Sequence, residues 1–241
     1  MIKNRTRMKK AMAAASALGA TAAVSSAASL AINFKGDRYS GEFGRDVSVS
    51  AFGVDASDWY VSPNHTAGAI DGGNDSGVID GVSFAWEFSN DWAQSAAYSG
   101  ATGIDEVSFG YLDDGATGAN ITITGLSAWL SANSVTAYTV TLVMGSGQGG
   151  GTFVDTPLYD EEGGSELHLY SVNAEAGASG GIQGYATSGE LNSDTLYIDG
   201  QNRNGTARGS IAGVVITTIP EPSSTALLGL AGLGFILRRR K

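Results

Sequence analysis

Cysteine is absent from the chain and proline occurs only four times in 241 residues. Without thiols there is no disulfide framework and no thiolate metal site. Scarce proline beside 35 glycines argues against a low-complexity or collagen-like tract and places the glycines at turns and strand bends. Cations are nearly missing from the middle. Of 14 Lys and Arg, five lie between Lys3 and Lys10 and four at Arg238 to Lys241, leaving Lys35, Arg38, Arg45, Arg203 and Arg208 between 29 and 219. Against those five stand 23 acids, a formal charge of −18 for that stretch. Such a surface repels nucleic acid and anionic lipid, so no nucleic-acid partner is expected. It suits solubility, a divalent cation or a neutral ligand such as glycan.

The cations sit where they carry meaning. MIKNRTRMKK precedes AMAAASALGATAAVSSAAS, which is small, weakly apolar and uncharged. No polar face recurs there at helical spacing, so residues 1–28 read as a secretory signal peptide. Ser26 and Ala28 have the small side chains signal peptidase accepts, which places cleavage before Ser29.

At the other end, PEPSSTALLGLAGLGFILRRRK holds an acid between two prolines, an apolar run and four cations. The 15 residues 223–237 rise roughly 22 Å as a helix, short of the ~30 Å hydrocarbon core. Arg238, Arg239, Arg240 and Lys241 can snorkel from one end while the bilayer thins locally, and the positive-inside rule holds them in the cytoplasm. Pro220 and Pro222 keep the backbone extended, so Glu221 lies in accessible chain just outside the membrane.

Pro220-Glu221-Pro222, the Gly/Leu/Ala-rich span and Arg238 to Arg240 resemble the PEP-CTERM sorting signal of Gram-negative bacteria. The resemblance implies that an exosortase cleaves near Pro-Glu-Pro, after a transient inner-membrane anchoring with the body in the periplasm. The body then passes to the outer surface or extracellular matrix, in systems that accompany exopolysaccharide production. The ending is an address, and it leaves open what the body does.

Between the two ends, period-2 alternation broken by Gly, Asn and Asp recurs. DVSVSAFGV, GVIDGVSFAWEFS, EVSFGYL, ANITITGLSAWL, VTAYTVTLVMG, GTFVDTPLY, SELHLYSV, GIQGYAT, DTLYIDG and GSIAGVVITTI read as strands, with no long helix among them. The expected architecture is all-β: a single β-sandwich or jelly roll over 29–218, flanked by the signal peptide and by a sorting signal over 219–241 with a short transmembrane helix. GYLDDGATGANITITGL and LYIDGQNRNGTARGSIAGVVI are similar to galactose-binding-like or carbohydrate-binding jelly-roll domains. That likeness implies glycan binding without locating a site.

Several motifs carry less than they promise. Gly145, Gly147 and Gly150 satisfy G-x-G-x-x-G, but GTFVDTP follows where a dinucleotide fingerprint needs a helix. Gly177, Ser179 and Gly181 satisfy G-x-S-x-G without the α/β alternation of a hydrolase elbow. Only His65 and His168 can supply imidazole, and His168 reads as the exposed face of a strand. Adjacent acids such as Asp113 and Asp114, or Glu161 and Glu162, point to opposite faces of a strand or sit in solvated loops.

Two sets of candidates remain. Asp71, Asn74, Asp75 and Asp80 fall in or beside the Gly-rich loop 68–77 and offer hard oxygens to a structural Ca²⁺, although Val82 stands where an EF-hand has Glu. The competing reading is ordinary Asx turns. Trp86 and Phe84 alternate with Ala85 and Glu87 and fit an inward face. Trp59 and Trp92 lie in polar, loop-like segments and are the candidate sugar-stacking rings. The expected protein is a noncatalytic, glycan-binding component of surface or matrix, with exopolysaccharide as partner. The alternative is a secreted polysaccharide-active hydrolase, which needs two acids facing each other across a groove with the pKa of one of them raised.

Overall fold

Alternating β-branched and aromatic residues become strands, as the pleat requires. In a computed structural model, residues 27–34, 47–62, 73–93, 102–113, 118–147, 151–177, 180–200 and 207–220 are described. The strands among them are β1 (Ser29–Asn33), β2 (Trp59–Val61), β3 (Gly73–Ile79), β4 (Val82–Phe88), β5 (Asn90–Ala93), β6 (Gly110–Asp113), β7 (Ala119–Thr124) and β8 (Tyr138–Ser146). They continue as β9 (Thr152–Phe153), β10 (Thr156–Tyr159), β11 (Glu166–Tyr170), β12 (Glu175–Ala176), β13 (Ile182–Thr187), β14 (Thr195–Gly200), β15 (Ala207–Arg208) and β16 (Ile211–Thr218). Two short α-helices, α1 (Gly103–Val107) and α2 (Leu126–Ala132), and a 3-10 turn over Ala56–Asp58 interrupt them.

The strands form an eight-stranded sheet ordered β12-β13-β8-β16-β1-β2, with β6 joined to β16 and β5 to β6, and a six-stranded sheet ordered β11-β10-β14-β7-β4-β3. A parallel pair, β9 with β15, stands apart from both. The architecture is all-β. Leu30, Ile32, Leu142, Val214 and Ile216 from the first sheet share one buried cluster with Phe84, Trp86, Ile121, Ile123 and Ile198 from the second. Trp86 meets Phe34 edge to face at 5.3 Å.

β16 shows why a continuous apolar run differs from an alternating one. Its sequence IAGVVITT is buried at nearly every position, because Ala212 and Val215 on its other face join Trp59, Val107 and Val143 in a second cluster. A strand covered on both sides needs no polar alternation. At the neighbouring strand Gly145, a Cβ would lie 2.3 Å from the Ser108 carbonyl oxygen, so only glycine lets the segment after α1 approach.

The chain divides into two compact units, Ala28–Ile219 and the pair Met1–Ala27 with Pro220–Lys241. All the strands belong to the first. No helix among the described residues is long and apolar enough to cross a membrane. The span 223–237, from which a transmembrane helix is expected, lies outside the described residues, as do residues 1–26 of the expected signal peptide.

Several strand expectations give way: GVIDGVSFAWEFS turns back at Asp80-Gly81 into β3 and β4, and GTFVDTPLY divides into β9 and β10. ANITITGLSAWL breaks at Gly125 (φ +90), after which Leu126, Trp129 and Leu130 repeat at helical spacing and bury one face of α2. EVSFGYL begins inside α1, whose first turn is capped by Thr102. DVSVSAFGV, from Val47 onward, holds only a bridge between Ala51 and Val54 around a tight turn at Phe52 and Gly53.

Candidate functional site

Burial alternates along the strands of the six-stranded sheet: β4 reads buried, exposed, buried from Val82 to Phe88, and β7 and β14 keep the same rhythm. Antiparallel register then aligns the outward positions in rows. Ala85 faces Thr122, Thr122 faces Tyr197, and Tyr197 faces Tyr159 on β10. One step along, Asn74, Glu87, Asn120 and Asp199 form the next row. Side chains directly opposite on one face are in contact range.

These rows floor a groove of about 310 Å³ lined by Asn74, Glu87, Asn120, Thr122, Tyr197 and Glu162, the last from the segment between β10 and β11. No cation lines it among the described residues. Asn120 Oδ1 has almost no accessible surface and no hydrogen-bond donor from the protein. Burial pushes the Tyr197 hydroxyl up to about 12, helped by the negative charges of Asp199, Glu162 and Glu87. Burial, then Glu162, also raises the Asp199 carboxyl above the usual range. The groove is rich in acceptors and carries excess negative charge.

The C-terminal residues carry the other functional signal. Residues 218–241 match the family model of the PEP-CTERM protein-sorting motif. That motif implies an exported, membrane-transiting protein processed by an exosortase. Within it Pro220 is exposed, while Glu221, Pro222, Arg238, Arg239 and Arg240 lie outside the described residues. No curated protein and no solved structure matches the chain.

The calcium set is not brought together. Asp80 and Gly81 both have positive φ, 49° and 82°, and join β3 to β4 as a two-residue Asp-Gly hairpin turn. Asn74 and Asp75 are successive residues of β3 and point to opposite faces. Asp75 and Asp80 are about 16 Å apart along the strand at ~3.3 Å per residue, too far to share one ion. Asp71 lies outside the described residues, among which no cluster of three His, Asp or Glu could hold a metal ion.

The aromatic candidates also move. Trp59 is in β2, not a loop, and is 6 % exposed. Its ring packs in the second cluster with Val107 and Val215, which removes it as a stacking platform. Trp92 is in β5, half-buried against the same cluster. Trp86 and Phe84 are buried in the main core, as their alternation indicates. His168 is half-buried and meets Tyr170 edge to face at 4.7 Å, so it is not the exposed strand residue that SELHLYS suggests. His65 and Ser179 lie outside the described residues. Asp113 faces Arg208 at 3.7 Å.

Sequence reasoning passed over Tyr197, Tyr159 and Asn120. Their signal was the outward half of the alternation, T-L-Y-I-D and N-I-T-I-T, read only for its apolar half. What no single segment discloses is that register lines these positions up across four strands.

Proposed function

We propose that the chain is an exported, exosortase-sorted protein of the cell surface or extracellular matrix of a Gram-negative bacterium, and that its body binds polysaccharide without catalysis. The observation that carries the sorting part is the motif over 218–241. In this reading residues 1–28 are removed by signal peptidase, the span 223–237 holds the body transiently at the inner membrane, and exopolysaccharide is the ligand. Two sheets sharing one core support a jelly-roll-like sandwich. A groove on a sheet face lined by Tyr197, Glu87 and Glu162 supports glycan binding. Affinity electrophoresis of the full chain in gels containing bacterial exopolysaccharides tests the binding part: retardation by at least one polymer is expected, and uniform mobility would reduce the protein to a structural surface component.

A second reading, a polysaccharide-active hydrolase, draws on one observation. Burial, and after it the charge of Glu162, holds the Asp199 carboxyl above its usual range, the environment a general acid needs. Release of reducing sugar by the wild type, abolished in Asp199→Asn, would favour it over simple binding.

A further inference from the structure

We infer that the folded body sets the upstream limit of exosortase processing: the cut falls beyond Ile219, so Pro220 stays on the mature body, and because the sheet runs directly into Pro220 it slows the enzyme's access. The inference rests on the sorting reading above and fixes where that processing can act.

The sorting motif and the sheet claim the same residues. The match begins at residue 218, and β16 ends at Thr218. β16 is not an edge strand, since it lies between β8 and β1. Thr217 faces Thr139 on one side and Ser29 on the other, and Thr218 faces Tyr138. One residue further, the Ile219 amide donates to the Ala137 carbonyl at 2.9 Å. Thr218 and Tyr138 are both buried, and Tyr138 exchanges two more backbone bonds with Leu191, at 2.9 and 2.8 Å. A strand end held in this way opens with the sheet, not ahead of it. The pairing stops at Pro220, because proline has no amide to carry it on. There the chain surfaces: Ile219 is half-buried and Pro220 is exposed.

An enzyme that cuts a main chain holds the residues around the scissile bond extended and bonds their amides and carbonyls as an added strand would. Up to the Ile219 amide, the sheet already uses these groups. Drawing them into an active site breaks pairs on both sides of β16, so the first residue free to be held is Pro220. The step is an acyl transfer. A nucleophile of the enzyme attacks the carbonyl carbon of Pro220 or of a later residue, the peptide C–N bond breaks, and the departing amine of the C-terminal fragment takes the nucleophile's proton. Water or an acceptor amine then receives the body's acyl group and returns a proton to the nucleophile. With no residue between Ile219 and Pro220 to act as a spacer, the enzyme works directly against the end of the sheet.

The test uses the full chain in a Gram-negative host that carries an exosortase, recovered from its membrane and surface fractions. Between Arg208 and Arg238 the sequence has no Lys or Arg, so trypsin delivers the new C-terminus on one peptide that begins at Gly209. Tandem mass spectrometry is expected to show this peptide ending at Pro220 or beyond, as a free acid or joined to the acceptor amine. An end at Ile219 or earlier overturns the inference and leaves sorting standing. A peptide that reaches Arg238 in every fraction overturns the inference together with the sorting reading. Access is tested by inserting about six Gly and Ser residues, a flexible spacer, between Ile219 and Pro220. The insertion lies beyond the last paired residue, so the body's thermal unfolding is expected to match wild type. In pulse-chase the variant should be processed at least about two-fold faster, because cleavage follows the population of accessible chain. Equal or slower processing overturns the claim that the sheet limits the enzyme.

Discussion

Ser48 gives both its backbone amide and its hydroxyl to the carboxylate of Glu106, 58 residues further along the chain. The Val49 amide joins them at 3.2 Å. Glu106 is only 7 % exposed and belongs to α1, so one buried carboxylate ties the segment before the Phe52 turn to the helix covering the eight-stranded sheet.

Truncation at this point tests how much that tie contributes. Hydrogen bonds to a charged acceptor contribute about 1.5–3 kcal/mol each way of counting, but Ser48 is exposed and its donors can return to water. Glu106→Ala is therefore expected to lower stability by about 1–3 kcal/mol, with Glu106→Gln losing less because one acceptor oxygen remains. Denaturant melts of both variants decide it; equal stability of wild type and Glu106→Ala would mean that the clasp is not formed in solution.

Trp59 separates core from surface directly. Its ring is buried in the second cluster and its Nε1 has no hydrogen-bond partner. Trp59→Ala should behave like other large-to-small core changes and cost roughly 3–5 kcal/mol, as should Trp86→Ala. Trp59→Phe should cost much less, because it forfeits no hydrogen bond and keeps most of the ring. A near-native melting temperature for Trp59→Ala would put the ring back at the surface.

Legibility in the sequence followed the physics of each signal. Period-2 alternation identified β4, β7, β14 and the all-β class, since one buried face leaves its imprint on consecutive residues. It misled at α2, where TGLSAWL keeps an apolar rhythm through a change of period at Gly125. Asp-Gly at 80–81, between alternating runs, is a strong hairpin signal, yet its acid invites a metal reading when GVIDGVSFAWEFS is taken as one strand. Trp59 sits in a polar stretch, DASDWYV, whose exposed residues are Asp55, Ser57 and Asp58 rather than itself. The groove depends on pairings as distant as Glu87 with Asn120 and Asn120 with Asp199. Register of that range is decided by the whole sheet, so only the outward residue types were readable beforehand.

Asp199 predicts a stability difference with a definite pH window. Its carboxyl is raised above its ordinary value by burial and then by Glu162. Above that ordinary value, near pH 4, the unfolded chain ionises more readily than the folded one, so the native state loses stability as pH rises through the folded pKa. Asp199→Asn should therefore melt higher than wild type at pH 7 and indistinguishably from it near pH 3. A lower melting temperature at pH 7 would mean that the carboxylate is held by favourable contacts.

Alkaline titration probes the tyrosines in the same way. Tyr197 is raised to about 12, and burial pushes Tyr111, Tyr138 and Tyr170 higher still. Below pH ~10 the phenols are neutral in folded and unfolded chains alike. Between about 10 and 12 only the unfolded chain ionises, so stability falls as pH rises through that window. Absorbance at the phenolate band should show the exposed tyrosines titrating first and these four appearing with unfolding. A single early titration of all nine tyrosines would contradict the burial of their rings.

The sorting motif makes the last prediction. Arg238, Arg239, Arg240 and Lys241 close the stretch 218–241 that matches the PEP-CTERM motif. Cations flanking an apolar span hold its end on the cytoplasmic side, and without them orientation and retention weaken. Replacing all four by Ser or Gln should leave the protein unprocessed or released early, which fractionation and the mass of the mature chain would reveal. The body should still fold, because the four residues belong to a unit other than Ala28–Ile219, so its thermal unfolding is expected to match wild type. Replacing Pro220, Glu221 and Pro222 by Ala should instead leave the chain membrane-held and uncleaved, since the element an exosortase reads is lost while the cations remain. If both variants reach the wild-type location at the wild-type processed mass, the C-terminal residues do not direct sorting.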